Sequence, residues 1–119
     1  MGGPRATVRI TAGAEADLHA IWRRRLAQRG AGGPDGAEAL LDDLVARIEG
    51  LADHPAKGPV PPELESLGTR QYRQLAHPPF RIVYHLTGDV SGTVTVLVIA
   101  DGRRDFRALL EERLLAGGE

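Results

Sequence analysis

Apolar residues keep two rhythms along this chain. In the first half they fall three and four apart, and in the second they alternate or run together. Leu18, Ile21, Trp22 and Leu26 share one face of a helix. Thr11 stands where an N-cap belongs, with Glu15 and Asp17 near the positive helix end. Gly30, Gly32, Gly33 and Pro34 break that helix. Ala37, Leu40, Leu41, Leu44, Ile48, Leu51 and Ala52 then form a continuous stripe, the clearest helix in the sequence. It stops at Asp53-His54-Pro55, because proline disfavours helical geometry in the residue before it. Together these predict an αα-hairpin with a short glycine-rich loop. On this spacing Trp22 faces the core, and Arg23, Arg24 and Arg25 form a solvated flank.

The β rhythm begins with a short strand at 7–10 and returns after an irregular proline-rich connection at 55–68. Strands are predicted at 70–76, 80–86 and 93–100, joined by turns at His77-Pro78-Pro79 and at 87–92. In 80–86, Phe80, Ile82, Tyr84 and Leu86 alternate with Arg81, Val83 and His85. The run after Thr95 is apolar at nearly every position, as a central strand covered on both faces requires. A final helix over 104–115 is marked by Phe106, Leu109, Leu110 and Leu114. The order β-α-α-β-β-β-α predicts an α+β fold with the hairpin on one face of a small, mostly antiparallel sheet. The other face is expected to be a concave surface where side chains of the middle strands collect.

Composition narrows the functional classes. A chain of 119 residues supports one domain with an ordered core over about 7–115. The absence of cysteine excludes disulfides and thiolate chemistry and fits a reducing cytoplasm. The longest apolar-leaning run, 90–100, is too short to span a bilayer, and the first ten residues lack a signal-peptide core. Net charge is −1, yet Gly68 to Arg107 holds six arginines against three aspartates, which predicts a locally basic surface.

Arg81 stands out as a cation within an otherwise strand-like, apolar segment. Tyr72 and Arg73 lie one strand earlier, and Asp101-Gly102-Arg103-Arg104-Asp105-Phe106 follows the last strand. Guanidinium groups placed there suit phosphate or carboxylate recognition. The plainer alternative pairs Arg81 across the sheet and leaves Arg103 and Arg104 solvated beside Asp101 and Asp105. Histidines 19, 54, 77 and 85 show no metal-ligand spacing, and no cofactor motif is present. His85 shares a face with Arg81 by alternation, and His77 precedes it in the turn. Either offers a proton carrier near neutral pH.

The hairpin, "VPPELESLGTRQYRQL" (60–75), "PFRIVYHL" (79–86), "VTVLVIADGRRDF" (94–106) and "LLEERLL" (109–115) resemble the RelE/ParE family of type II toxin–antitoxin toxins. The resemblance runs from about Thr7 to Leu115. It implies a small cytoplasmic toxin, a plasmid stabilisation protein, neutralised by an antitoxin encoded beside it, with no cofactor. RelE-like members cut mRNA on the ribosome without metal, whereas ParE-like members inhibit DNA gyrase. By resemblance, Arg81 and Arg104 match residues that RelE-like enzymes hold near the scissile phosphate. The departures lie nearby. Arg73 is the only cation where RelE-like toxins place lysines, and Leu110 occupies the position of their late-helix proton carrier. Leucine cannot move a proton, and arginine is a poor general base. The resemblance therefore leans to the ParE-like, gyrase-inhibiting side. Arg73, Arg81, Arg103, Arg104 and Arg107 are expected to face the target, and Arg81, Leu114 and Leu115 the antitoxin.

Overall fold

The computed structural model describes residues 5–68, 70–88 and 92–115. Strand β1 (Thr7–Ile10) leads directly into helix α1 (Ala12–Arg29). Thr11 caps α1: its Oγ1 accepts the Ala14 N–H at 3.1 Å, which satisfies one of the donors a helix start leaves open. Gly30 closes the helix by donating its N–H to the Leu26 carbonyl. Helix α2 (Ala37–Glu49) buries Ala37, Leu40, Leu44 and Ile48, the stripe read from the sequence. Its predicted last turn is a 3-10 helix, Gly50–Ala52, with Leu51 buried.

The proline-rich connection carries a second 3-10 helix, Pro62–Leu67, with Pro62 in its first turn, where a missing N–H costs nothing. Strands β2 (Tyr72–His77), β3 (Phe80–Thr87) and β4 (Thr93–Asp101) follow, then helix α3 (Phe106–Leu115). Of the predicted turn at 87–92, residues 89–91 lie outside the described residues. The final helix starts later than expected. Asp101 to Arg104 form a turn, and the Asp105 carboxylate accepts the Ala108 N–H as a cap.

The sheet order is β1-β4-β3-β2, with β1 parallel to β4 and the other pairs antiparallel. Val83 opposes Val98 while Tyr84 opposes Val96, so Leu97 is the extra residue of a β-bulge. The bulge flips the alternation of β4. Val94, Val96 and Ile99 face the helical hairpin, and Leu97, Val98 and Ala100 face α3. That is why the run reads as continuously apolar: it serves two cores. On the hairpin side Leu18, Leu40, Leu44, Ile48 and Leu51 pack on Leu75, Ile82 and Tyr84. On the other side Leu64, Phe106 and Leu110 pack on Val83, Leu97 and Val98. The second sheet face is therefore a covered core over much of its area, not an open concave surface.

Trp22 corrects another expectation. It is half-buried at the hairpin rim, stacked on His19 at 6.0 Å and directed through Nε1 to Glu38 at 3.4 Å. Leu18 and Ile21 fill the core beside it.

The ladder of β1 ends at Val96, so among the described residues no strand covers β4 from Leu97 to Asp101 on that side. Side chains replace it. Asp17 of α1 accepts the Ile99 N–H at 2.9 Å, and Arg113 of α3 donates to the Leu97 carbonyl at 2.7 Å. Arg113 and Asp17 also pair bidentately at 2.7 and 2.9 Å. The guanidinium lies against Gly13, where a Cβ would come within 3.0 Å of Nη1. One ion pair thus finishes the sheet edge and fastens the last helix to the first.

Candidate functional site

Arg81 sits on β3 in register with Ala76 and Ala100, on the α3 side of the sheet. Its guanidinium forks onto Glu63 of the 3-10 helix, with Nη1 and Nη2 donating at 2.9 and 2.8 Å. Nε and Nη2 also donate to the Gln74 Oε1 from β2, the first at 2.9 Å. Phe106 lies under the plane, 4.1 Å from Cζ to the ring centroid. Four of the five guanidinium N–H donors are therefore engaged within the chain. The pair is mostly withdrawn from solvent, at 19% and 23% side-chain exposure. Such a bidentate, partly desolvated bond is far stronger than an exposed ion pair. A phosphate reaching Arg81 must displace Glu63. The sequence predicts the arginine but not its partner, because Glu63 comes from a proline-rich connection with no rhythm to fix its facing.

Arg81 holds the Glu63 carboxyl below its ordinary value near 4.5. Just below that value the unfolded chain binds the proton more readily than the folded one, so stability rises with pH. The contribution is complete above about 4.5 and is lost as pH falls through the depressed folded value. Urea midpoints measured from about pH 6 to pH 3 are expected to drop in the wild type and to drop less in Glu63→Gln. Asp101, held at about 2 by Arg103, leaves a residual slope in both proteins. Equal slopes would show that the Glu63–Arg81 bond adds nothing.

The other predicted site residues do not converge on Arg81. Arg73 points to the opposite face, in register with Tyr84. It donates to the carbonyls of Arg70, Ala56 and Gly58 at 2.7, 3.2 and 3.0 Å and pins the connection against β2. Gly58 has to be glycine there, because a Cβ would stand 1.9 Å from the Gln74 carbonyl oxygen. His77, in register with Phe80, also lies on the hairpin face. His85 shares the Arg81 face, but four residues of strand separate their backbones by roughly 13 Å. It packs on Tyr72 at 4.8 Å, and burial lowers its pKa, favouring the neutral ring. Leu110 is 1% exposed and belongs to the second core.

The turn after β4 holds the exposed cations. Arg103 folds back onto Asp101 at 2.9 Å. Arg104 and Arg107 are exposed, and no hydrogen bond or ion pair among the described residues holds either side chain. Leu114 is half-buried against the second core, and the Leu115 side chain lies outside the described residues. Among those residues no group of three or more histidine or carboxylate side chains converges as metal ligands would. Nor is any helix among the described residues long and apolar enough to cross a membrane.

Comparison with solved structures places this arrangement among known folds. The chromosomal ParDE toxin–antitoxin system of P. aeruginosa matches with a TM-score of 0.61 at 22% identity, covering 81% of this chain and 95% of that one. The RelBE2 toxin–antitoxin complex of Mycobacterium tuberculosis matches at 0.55 and 22% identity, covering 82% and 92%. A free-state arginine variant of the E. coli toxin RelE matches at 0.55 and 12% identity, covering 94% and 97%. At these identities the likeness concerns the fold. No curated protein matches the sequence. The family model described as the ParE toxin of the type II toxin–antitoxin system parDE matches residues 8–106. With that match across most of its length, the chain belongs to the ParE family of type II toxin–antitoxin toxins.

Proposed function

We propose that this toxin arrests growth by binding and inhibiting DNA gyrase, and that a cognate antitoxin encoded beside it restrains it. The observation that carries this reading is the state of Arg81. Four of its five donors are spent on Glu63 and Gln74, and no histidine stands beside it among the described residues. The neighbouring Glu63 carboxylate is tied into that same bond and held below its ordinary pKa, which makes it a weak base. Attack of a ribose hydroxyl on a phosphate needs a base and an acid within hydrogen-bond reach of the reacting atoms. His85 is too far along the strand, His77 is on the other face, and Leu110 is core. With Glu63 committed to Arg81, electrostatic stabilisation is the main contribution that would remain.

In this reading Arg81 is a scaffold residue. It holds the 3-10 helix, β2 and the first turn of α3 in one arrangement. The contact surface is the exposed rim that this arrangement presents, with Arg103, Arg104 and Arg107 toward the target. The toxin works as a single domain in the cytoplasm, needing no metal or cofactor.

RelE-like cleavage of mRNA on the ribosome, with Arg81 and Arg104 at the phosphate, is the reading to be excluded. Expression without antitoxin is expected to stop growth while translated messages stay intact on primer extension. Codon-positioned cuts that vanish in a folded Arg81 variant would overturn the proposal.

A further inference from the structure

A pocket lies at the end of β3 opposite Phe80, away from Arg81 and from the cations that follow β4. The chain leaves its first 3-10 helix at Asp53 and runs beside that end of the sheet as residues 53–57. Between this segment and Leu86 and Gly88 opens a space of about 690 Å³, within the range of small-molecule sites. Pro55, Ala56 and Leu86 supply an apolar wall. Pro55 is buried, and Leu86 rests on the hairpin core. Gly88 has φ 83°, the left-handed region that favours glycine, so the rim there is bare backbone. The wall is held from behind. Arg73 donates to the Ala56 and Gly58 carbonyls, and the Tyr84 hydroxyl accepts the Gly58 N–H at 3.3 Å. The Lys57 N–H closes a turn on the His54 carbonyl at 3.2 Å. A space framed this way needs little ordering when it is filled. The charges on its lining are uneven. Asp53 pairs with Arg5 at 2.9 Å. Lys57 and His54 are exposed, and among the described residues neither side chain makes a hydrogen bond or ion pair. Among those residues one ammonium therefore borders an apolar wall without a carboxylate of its own.

We propose that this pocket binds a small amphipathic monocarboxylate, its hydrocarbon body against Pro55, Ala56 and Leu86 and its carboxylate on the Lys57 ammonium. Lys57 offers a compact charge with three donors, enough for one carboxylate, and the His54 ring adds a polar edge. A phosphate chain would find a single ammonium and forgo burial of the apolar wall. A neutral hydrocarbon would cover the wall but gain nothing from Lys57. The site is distinct from the surface offered to gyrase, and the inference stands whether or not that reading does. The sequence hides it. Residues 55–68 read as an irregular proline-rich connection, and only the fold brings Lys57 to Leu86.

The test titrates the purified full-length chain with octanoate, with octanol, which keeps the body and drops the charge, and with acetate, which does the reverse. Octanoate is expected to saturate one site and to bind at least about tenfold more tightly than either other probe. Lys57→Met is expected to weaken octanoate about fivefold and to leave octanol within about twofold. Lys57→Arg keeps the charge and should hold octanoate to within about twofold of wild type. Arg70→Met, at an exposed cation outside the lining, is expected to change nothing. Lys57 is the only lysine in the chain, so isotopic dimethylation, which preserves its charge, gives one lysine signal that octanoate should shift. Matching thermal midpoints show that the variants fold. Octanoate that binds Lys57→Met as it binds the wild type, or that leaves the lysine signal unmoved, would overturn the proposal. So would octanoate that fails to saturate or binds no more tightly than octanol.

Discussion

Replacing Arg81 by alanine is expected to lower stability by about 2–4 kcal/mol. The substitution leaves Glu63 and Gln74 without their shared donor and strips the cation from the Phe106 ring. In a chain of this length such a loss lowers the melting temperature by roughly 6–16 °C. Loss of toxicity in Arg81→Ala would therefore not identify a contact residue. The double variant Arg81→Met/Glu63→Met separates the two roles, since an apolar pair can replace a partly buried ion pair at little cost. It is expected to recover most of the stability and to keep arresting growth. A double variant that melts like wild type yet is harmless would place the Arg81 charge on the target and contradict the scaffold role.

Arg113→Ala carries the second large effect. Arg113 satisfies the Leu97 carbonyl at the bulge and neutralises Asp17, at 20% and 17% side-chain exposure. Its removal leaves a partly buried carboxylate and a bulge carbonyl without their donor, a cost of about 2–4 kcal/mol. The loss should concentrate in α3, because Arg113 is the polar staple between that helix and α1. Amide exchange in Arg113→Ala is expected to accelerate across 106–115 well beyond its rise in the hairpin. Asp17→Asn keeps the size of the side chain and is expected to cost less. In a double-mutant cycle the two positions should couple by about 1 kcal/mol or more. Additive effects with uniform exchange would show that the ion pair does not fasten the helix.

Both effects lie where periodicity is silent. The stripe from Ala37 to Ile48 and the alternation from Phe80 to Leu86 settle which residues face inward, because each face is set by local geometry. Strand β1, helix α2 and strands β3 and β4 accordingly fall close to their predicted bounds. The bulge at Leu97 was not legible, since an all-apolar run carries no alternation to break. Nor was Glu63, which reaches Arg81 from a 3-10 helix within a proline-rich connection. Arg73 and Arg81 read as one basic cluster, yet an odd register offset sets them on opposite faces. His85 illustrates the converse. Alternation put it on the Arg81 face correctly, but sharing a face does not bring two side chains within reach.

Binding of gyrase, without cutting of RNA, is the action proposed for this ParE-family toxin. Supercoiling of relaxed plasmid by purified gyrase, titrated with purified toxin, tests it most directly. Dose-dependent loss of supercoiling, restored by adding the cognate antitoxin, is the expected result. Undiminished supercoiling at the highest soluble concentration, from a toxin that still arrests growth, would contradict it.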